Sequence, residues 1–164
     1  MKQADTPMGS WRGRFLLTLA AVAFFVVPFS VGRLADQVRI GQWQDRGFGP
    51  EEPRVWWSHD ITRLREALAW RAQGFSPERA GAWKTLEFIA VEAREWTEAE
   101  FDVLEASEWR RAAFEAAAAR EWKSAGLGIG EAVAWRKRAF GPSEAATLKR
   151  AGRSPLEAAG ERGR

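Results

Sequence analysis

The feature that most constrains this chain is a tryptophan at every thirteenth position. Seven such residues follow one another: Trp57, Trp70, Trp83, Trp96, Trp109, Trp122 and Trp135. Leu148 occupies the next position of the series. Upstream, Trp43 and Trp56 are also thirteen apart, and one inserted residue resets the count at Trp57. A fixed period indicates a repeat protein, in which one unit is too small to bury its apolar face and must stack on its neighbours. The familiar helical repeats are longer, about 33 residues and upward.

Other columns of the repeat mark both ends of a short helix. With each Trp as position 1, Ala recurs at position 11 and Glu at position 10. Position 7 supplies N-cap side chains, in Ser76, Asp102 and Ser154. Position 8 supplies proline, which suits the first helical residue, in Pro50, Pro77, Pro142 and Pro155. Position 5 supplies glycine, which ends a helix in the left-handed conformation, in Gly47, Gly74, Gly126 and Gly152.

Phenylalanine at position 6 is expected to pack on the tryptophan of its own repeat. In a Schellman motif these two residues occupy the C3 and C″ positions, which touch each other. The predicted structural core therefore consists of the seven tryptophans and of Phe75, Phe88, Phe101, Phe114 and Phe140.

Residues 83–125 contain neither Gly nor Pro and suggest one long helix as an alternative. Thirteen residues at ~100° each rotate the helix face by about −140°, so successive indoles would share no buried face. We therefore expect a turn in every repeat, with Glu87, Glu100 and Ala113 where Gly would be easier. Some of these turns are expected to be tighter or partly fused.

An apolar run precedes the repeats. Residues 15–32 carry no charge, and Arg12, Arg14 and Arg33 flank them. A helix of this length covers roughly 27 Å, close to the ~30 Å hydrocarbon core, and predicts an uncleaved transmembrane helix. The alternative is a signal peptide cut near Ser30 or Gly32, although no A-x-A pattern is present. A short N-terminal tail usually stays cytoplasmic, which would place the repeats on the periplasmic side, but the flanking charges are nearly even.

The predicted fold is thus all-α, with a single transmembrane helix followed by an α-solenoid of short helices. The predicted organisation is an N-terminal tail at 1–14, the transmembrane helix at 15–32, a linker at 33–42, the repeat domain at 43–160 and a tail at 161–164.

Charge is unevenly distributed along the repeats. Residues 83–121 hold five basic and ten acidic side chains, whereas residues 135–164 hold eight basic and three acidic ones. The basic end offers candidate contacts for an anionic partner, at Arg136, Lys137, Arg138, Lys149, Arg150 and Arg153. Position 2 of the repeat, however, lies in the last helical turn, where cations complement the helix dipole. We therefore favour a structural role for the cations at position 2.

The residues offer little chemistry. The chain has no cysteine and one histidine, His59, between Ser58 and Asp60. Neighbours in sequence rarely form a catalytic triad, and one histidine makes a poor metal site. We therefore expect no enzymatic activity, no cofactor, no metal and no small-molecule substrate. The net charge of +3 is too small to indicate nucleic-acid binding.

The expected function is that of a membrane-anchored scaffold or accessory subunit. Its partners would be the membrane and other protein subunits of a photosynthetic, respiratory or envelope-assembly complex. Two alternatives stay open. One is a secreted or periplasmic module that binds an anionic polymer after signal-peptide cleavage, and the other is an enzyme centred on His59.

Overall fold

The structure is a computed structural model that describes residues 33–162, which form ten helices and no strand. Helix α1 covers 33–44 of the described residues. The others are α2 Glu52–Ser58, α3 Leu64–Ala72, α4 Pro77–Thr85, α5 Ala90–Glu98, α6 Val103–Arg111, α7 Ala116–Ser124, α8 Ile129–Arg136, α9 Pro142–Arg150 and α10 Pro155–Arg162. The chain divides into two compact units, Met1–Arg54 and Val55–Arg164, with the boundary inside α2. The all-α repeat fold expected from the period is therefore present.

The expected membrane segment, 15–32, lies outside the described residues, as does the tail 1–14. Within residues 33–162, no helix is both long enough and apolar enough to cross a bilayer. The segment 33–42, expected as a linker, is helical and belongs to α1.

Every repeat ends in the same turn. In the turn after α4, the N–H of Phe88 donates to the carbonyl of Trp83 at 3.2 Å, and the N–H of Glu87 donates to that of Lys84 at 2.8 Å. These are the two hydrogen bonds of the Schellman motif, with tryptophan at C3 and phenylalanine at C″. The residue at position 5, directly before the phenylalanine position, has positive φ in all nine turns from 47 to 152, whether or not it is glycine. No turn is fused, so the expectation of partly fused central turns is wrong.

The turns that lack glycine adopt the same conformation under strain. Glu87, Glu100 and Ala113 have φ of 61°, 67° and 59°, and Asp60 and Ala139 have 61° and 59°. A left-handed residue with a Cβ costs roughly 1–2 kcal/mol. At each of these five turns, the packing of the repeat must therefore outweigh this conformational cost.

The break in register lies in a loop and not at the tryptophan pair. The N–H of Ile61 donates to the carbonyl of Trp56, and the N–H of Asp60 donates to that of Trp57, each at 3.0 Å. Trp56 is therefore the C3 residue and is 1% exposed, whereas Trp57 is half-buried at position 2. The assignment of Trp57 to the repeat core is thus corrected to Trp56. The extra residue is Thr62, in the loop before α3, where an insertion does not rotate a helix face.

The aromatic rings form a series through the interior that is interrupted at Leu127. Six of the expected tryptophans, from Trp70 to Trp135, are at most 4% exposed, as are the five expected phenylalanines. Each Phe contacts the Trp of its own repeat edge to face, with centroids 4.9–5.2 Å apart. From Phe75 to Phe114, each also lies 6.1–6.4 Å from the Trp of the next repeat. Such pairs add about 0.5–1.5 kcal/mol to the burial of their surface.

The helix N-termini follow the sequence columns closely. The Asp102 side chain accepts from the N–H groups of Leu104 and Glu105 at 2.9 Å. Ser154 and Glu157 form a reciprocal capping box, at 3.3 and 2.8 Å. Prolines begin α4, α9 and α10, whereas Pro50 precedes α2 by two residues. Alanine at position 11, the fourth helical residue, is fully buried from α3 to α9.

Helices of the second unit contact both their neighbours and the next helix but one. Consecutive helices are in contact from α3 to α7, and the odd-numbered helices contact one another in the order α3, α5, α7, α9. A thirteen-residue unit therefore packs against units on either side and against units two places away.

Candidate functional surface

Cations at position 2 bind the turn two helices earlier. Arg110 of α6 donates from Nη1 to the carbonyl of Glu87 at 3.0 Å and from Nη2 to the carbonyl of Leu86. Its guanidinium lies 3.6 Å from the centroid of the Phe88 ring. The carbonyl of Leu86, the C-cap residue, is one that the end of α4 leaves without an intrahelical partner, and the carbonyl of Glu87 lies in the turn that follows. We call this arrangement a turn clamp.

Turn clamps recur at a spacing of 26 residues on the even-numbered helices. Arg136 of α8 donates to the carbonyls of Ala113 and Ala112 at 2.6 and 2.7 Å and lies 3.7 Å from the centroid of Phe114. Arg162 of α10 binds the carbonyl of Ala139 at 3.4 Å and lies 3.9 Å from the centroid of Phe140. Lys84 of α4 donates to the carbonyl of Asp60. All four clamped turns contain a non-glycine residue with positive φ.

The cations of two odd-numbered helices also pair with a glutamate. Equivalent pairs occur on the even-numbered helices, between Lys84 and Glu66, Arg110 and Glu92, and Arg162 and Glu144. Lys123 lies 2.9 Å from a carboxylate oxygen of Glu105, and Lys149 lies 2.7 Å from one of Glu131. Lys149 also reaches the carbonyl of Gly126, at 3.3 Å. The Lys149 hydrogen bond is the main cause of a lowered pKa of the Glu131 carboxyl, and the N–H of Gly128 adds to it.

Most of the cations proposed for an anionic partner make contacts within the chain. Arg136 forms a turn clamp, and Lys149 contacts Glu131 and the carbonyl of Gly126. Arg138 and Arg150 donate to carbonyls four residues back, and Arg153 pairs with Glu161 at 2.7 Å. Lys137 is exposed. Of these cations, Arg136 and Lys149 therefore contact other helices or their turns, and Arg138, Arg150 and Arg153 make local contacts.

His59 lies at a close approach between the end of α2 and α4. A Cβ placed on Gly81 would come within 2.9 Å of the His59 Cβ, so glycine is required there. His59 Nε2 is 3.9 Å from Glu78. The pKa of that carboxyl is lowered chiefly by its own backbone N–H and by the Ser76 hydroxyl.

The neighbours of His59 make other contacts. The Ser58 hydroxyl donates to the carbonyl of Val55 at 2.8 Å, and Asp60 lies 3.5 Å from Lys84. These partners do not bring the three side chains together as a triad would require. No group of three His, Asp or Glu side chains suited to a metal occurs between residues 33 and 162.

The inserted loop residue borders a groove in the described part of the chain. This groove, which we call the loop groove, has a volume of about 630 Å³. Thr62, Arg63 and Arg65 line one part of it, and Ile89 and Ala90 line another. Ile89 is 63% exposed.

Sequence reasoning missed both the turn clamps and the loop groove. The signal for the clamps is present, because Lys84, Arg110, Arg136 and Arg162 are spaced by 26 residues. The loop groove had one signal, the break in the period.

The chain matches no protein-family model, no curated protein and no solved structure. Its class therefore rests on its own residues, and that class is an all-α repeat protein with thirteen-residue units.

Proposed function

We propose that this protein is a non-catalytic, membrane-anchored scaffold or accessory subunit. In this proposal residues 15–32 form the anchor, and the repeat surface docks onto a larger membrane protein complex of the photosynthetic, respiratory or envelope-assembly kind. Repeat proteins commonly use their extended surfaces to bind other proteins.

The observation that carries this proposal is the contrast between two columns of the repeat. Position 11 is alanine and fully buried in each helix from α3 to α9. Position 9 lies two residues away, is exposed in every helix from α4 to α10, and varies through Glu78, Val91, Leu104, Ala117, Gly130, Ser143 and Leu156. A fixed interior with a varied surface is the arrangement by which a repeat protein can recognise a particular partner.

The large side chains of the variable column support the same proposal. Leu104 and Leu156 are 67% and 69% exposed, and Val91 is 52% exposed. The recurring tryptophans, phenylalanines and position-2 cations make their contacts within the chain, in the aromatic series and the clamps. The residues left for recognition are therefore those that do not recur.

The test is purification of the full-length protein from its native membrane in mild detergent. A photo-reactive residue at position 104 or 156 should cross-link to one subunit of a larger assembly, whereas one at the buried position 106 should not. Mass spectrometry should find the N-terminal segment intact. A protein that migrates alone as a monomer, without cross-linked partners, contradicts the proposal, and cleavage near Gly32 would favour the secreted module.

A further inference from the structure

Two helices that border the loop groove begin at unusual N-cap residues. Side-chain cap hydrogen bonds are also absent before α7, α8 and α9, but there the N-cap residue is Glu or Gly. From α3 to α10, most N-cap residues are Ser, Asp, Glu or Gly. Arg63, before α3, and Ile89, before α5, are the exceptions, and neither side chain has an oxygen that could cap the helix. Both line the loop groove. Natural sequences break local stability rules mainly where function requires it.

Some of the charged residues around the loop groove form ion pairs and others do not. Lys84 pairs with the groove's two acidic residues, at 3.0 Å from Glu66 and 3.5 Å from Asp60. Arg63 and Arg65 are exposed, and no ion pair is described for them within residues 33–162. Two arginines without an ion pair among the described residues therefore line the groove, and guanidinium recognises carboxylate through paired hydrogen bonds.

Apolar groups form the other part of the loop groove. Ile89 projects at its edge, and Ala69, Ala90 and Trp70 contribute to its lining. A concave apolar lining accepts a single protruding side chain, whereas a lipid surface is flat and would contact protruding residues instead. The shape therefore favours a peptide over a membrane.

We propose that the loop groove binds a segment of a partner protein in which acidic residues neighbour a bulky aliphatic one. The carboxylates bind Arg63 and Arg65, and the aliphatic side chain packs against Ile89. This inference rests on the proposed scaffold function, since it names the chemistry of the partner segment. Ile89 and the two arginines are then specificity-determining residues, retained although a capping residue would make a more stable helix.

The experiment measures fluorescence anisotropy of a labelled probe with the full-length protein in neutral detergent. The probe is an acetylated Asp-Leu-Glu-Leu peptide amide, compared with Lys-Leu-Lys-Leu and Asp-Ser-Glu-Ser peptides. We expect the first to bind at least about tenfold more tightly than the other two. The double variant Arg63→Glu, Arg65→Glu should lose about tenfold, as should Ile89→Ser.

Two matched variants control for charge and for exposed aliphatic surface. Arg111→Glu in α6 and Val38→Ser in α1 change exposed residues that do not line the groove, and both should bind the probe as the wild type does. Ile89→Ser adds a capping oxygen and should unfold at a higher temperature while binding more weakly, which separates loss of binding from loss of fold.

Three results would overturn the inference. These are equal binding of the three peptides, unchanged binding by the groove variants, and cross-linking of the groove to phosphatidylglycerol in doped micelles without binding of the acidic peptide. The scaffold proposal fails separately, when no partner co-purifies. If a partner co-purifies equally with wild type and groove variants, the loop groove is wrong and the scaffold stands.

Discussion

The turns that follow even-numbered and odd-numbered helices reach the same backbone geometry by different means. After α1, α3, α7 and α9 the left-handed residue is glycine, with φ between 73° and 79°. After α2, α4, α6 and α8 it is Asp60, Glu87, Ala113 or Ala139, with φ between 59° and 61°. The turn after α5 is intermediate, because Glu100 is the left-handed residue and Lys123 lies 4.6 Å from the centroid of Phe101.

Cations from two helices later reach both kinds of turn, but their contacts are more extensive where the left-handed residue is not glycine. Glycine meets the conformational requirement by itself. The Gly74 and Gly126 turns each accept one hydrogen bond on a carbonyl, from Arg94 at 3.2 Å and from Lys149 at 3.3 Å. The turns at Glu87 and Ala113 each accept two from an arginine, which also stacks on the phenylalanine ring. One helix and its turn repeat every 13 residues, whereas the turn clamps repeat every 26 residues.

The largest effect should follow loss of an indole at either kind of turn. Trp109→Ala, before Ala113, and Trp122→Ala, before Gly126, should each cost about 3–5 kcal/mol in the free energy of unfolding, because each leaves a cavity in the aromatic series. Urea unfolding followed by circular dichroism measures this loss. A cost below about 1 kcal/mol would show that the aromatic series does not hold the repeats together.

The Trp109→Ala and Trp122→Ala variants should differ in the backbone conformation that the turn adopts after the indole is lost. Without Trp109, α6 can continue through Ala113 as a regular helix and relieve about 1 kcal/mol of strain, whereas Gly126 keeps its break. Hydrogen exchange should therefore show altered protection at Ala113 and Phe114 in the first variant only. The same pattern at both turns would contradict the comparison.

Exchanging the turn residues should give smaller effects of opposite sign. Gly126→Ala should cost about 1–2 kcal/mol, and because no atom lies within 4 Å of the added Cβ, the cost is one of backbone conformation. Ala113→Gly should stabilise the protein by about 0.5 kcal/mol, since relief of strain exceeds the added entropy of the unfolded chain. Thermal unfolding measures both. A destabilising Ala113→Gly would mean that the clamped turn is not strained.

The repeat itself could be predicted because its determinants are local. Thirteen-residue spacing, Asp102 as a cap and Gly126 as a helix end each act within one helix and its turn. The position of the register break could not, because adjacent tryptophans at 56 and 57 both fit the period on one side. Only the hydrogen bonds of the turn at Asp60 distinguish them.

The clamps and the loop groove required knowledge of how distant helices lie. Arg136 meets carbonyls 23 and 24 residues earlier. The sequence predicts that a cation at this position favours the end of its own helix, and gives no reason to look two helices back. Likewise, Ile89 reads as an ordinary apolar residue until its exposure is known.

The smallest expected effect is a pH dependence of stability where a position-2 cation pairs with a glutamate. Glu131 has a pKa below its ordinary value of 4.5, chiefly because Lys149 donates a hydrogen bond to it. Because the folded-state pKa is depressed, the stability it contributes is fully present above about pH 4.5 and is lost as pH falls through the lower folded value. The pair is exposed, so this contribution should be under about 1 kcal/mol.

Glu131→Gln should therefore be less stable than the wild type at pH 6, and the difference should shrink on acidification toward pH 3. Arg136→Met is the matched control. Ala118 stands where the Arg136 clamp would have a glutamate, and that clamp binds carbonyls and a ring, which do not titrate. Its loss should cost the same at both pH values, measured as unfolding midpoints at constant ionic strength. If Arg136→Met showed the stronger pH dependence, the assignment of that dependence to the glutamate would be wrong.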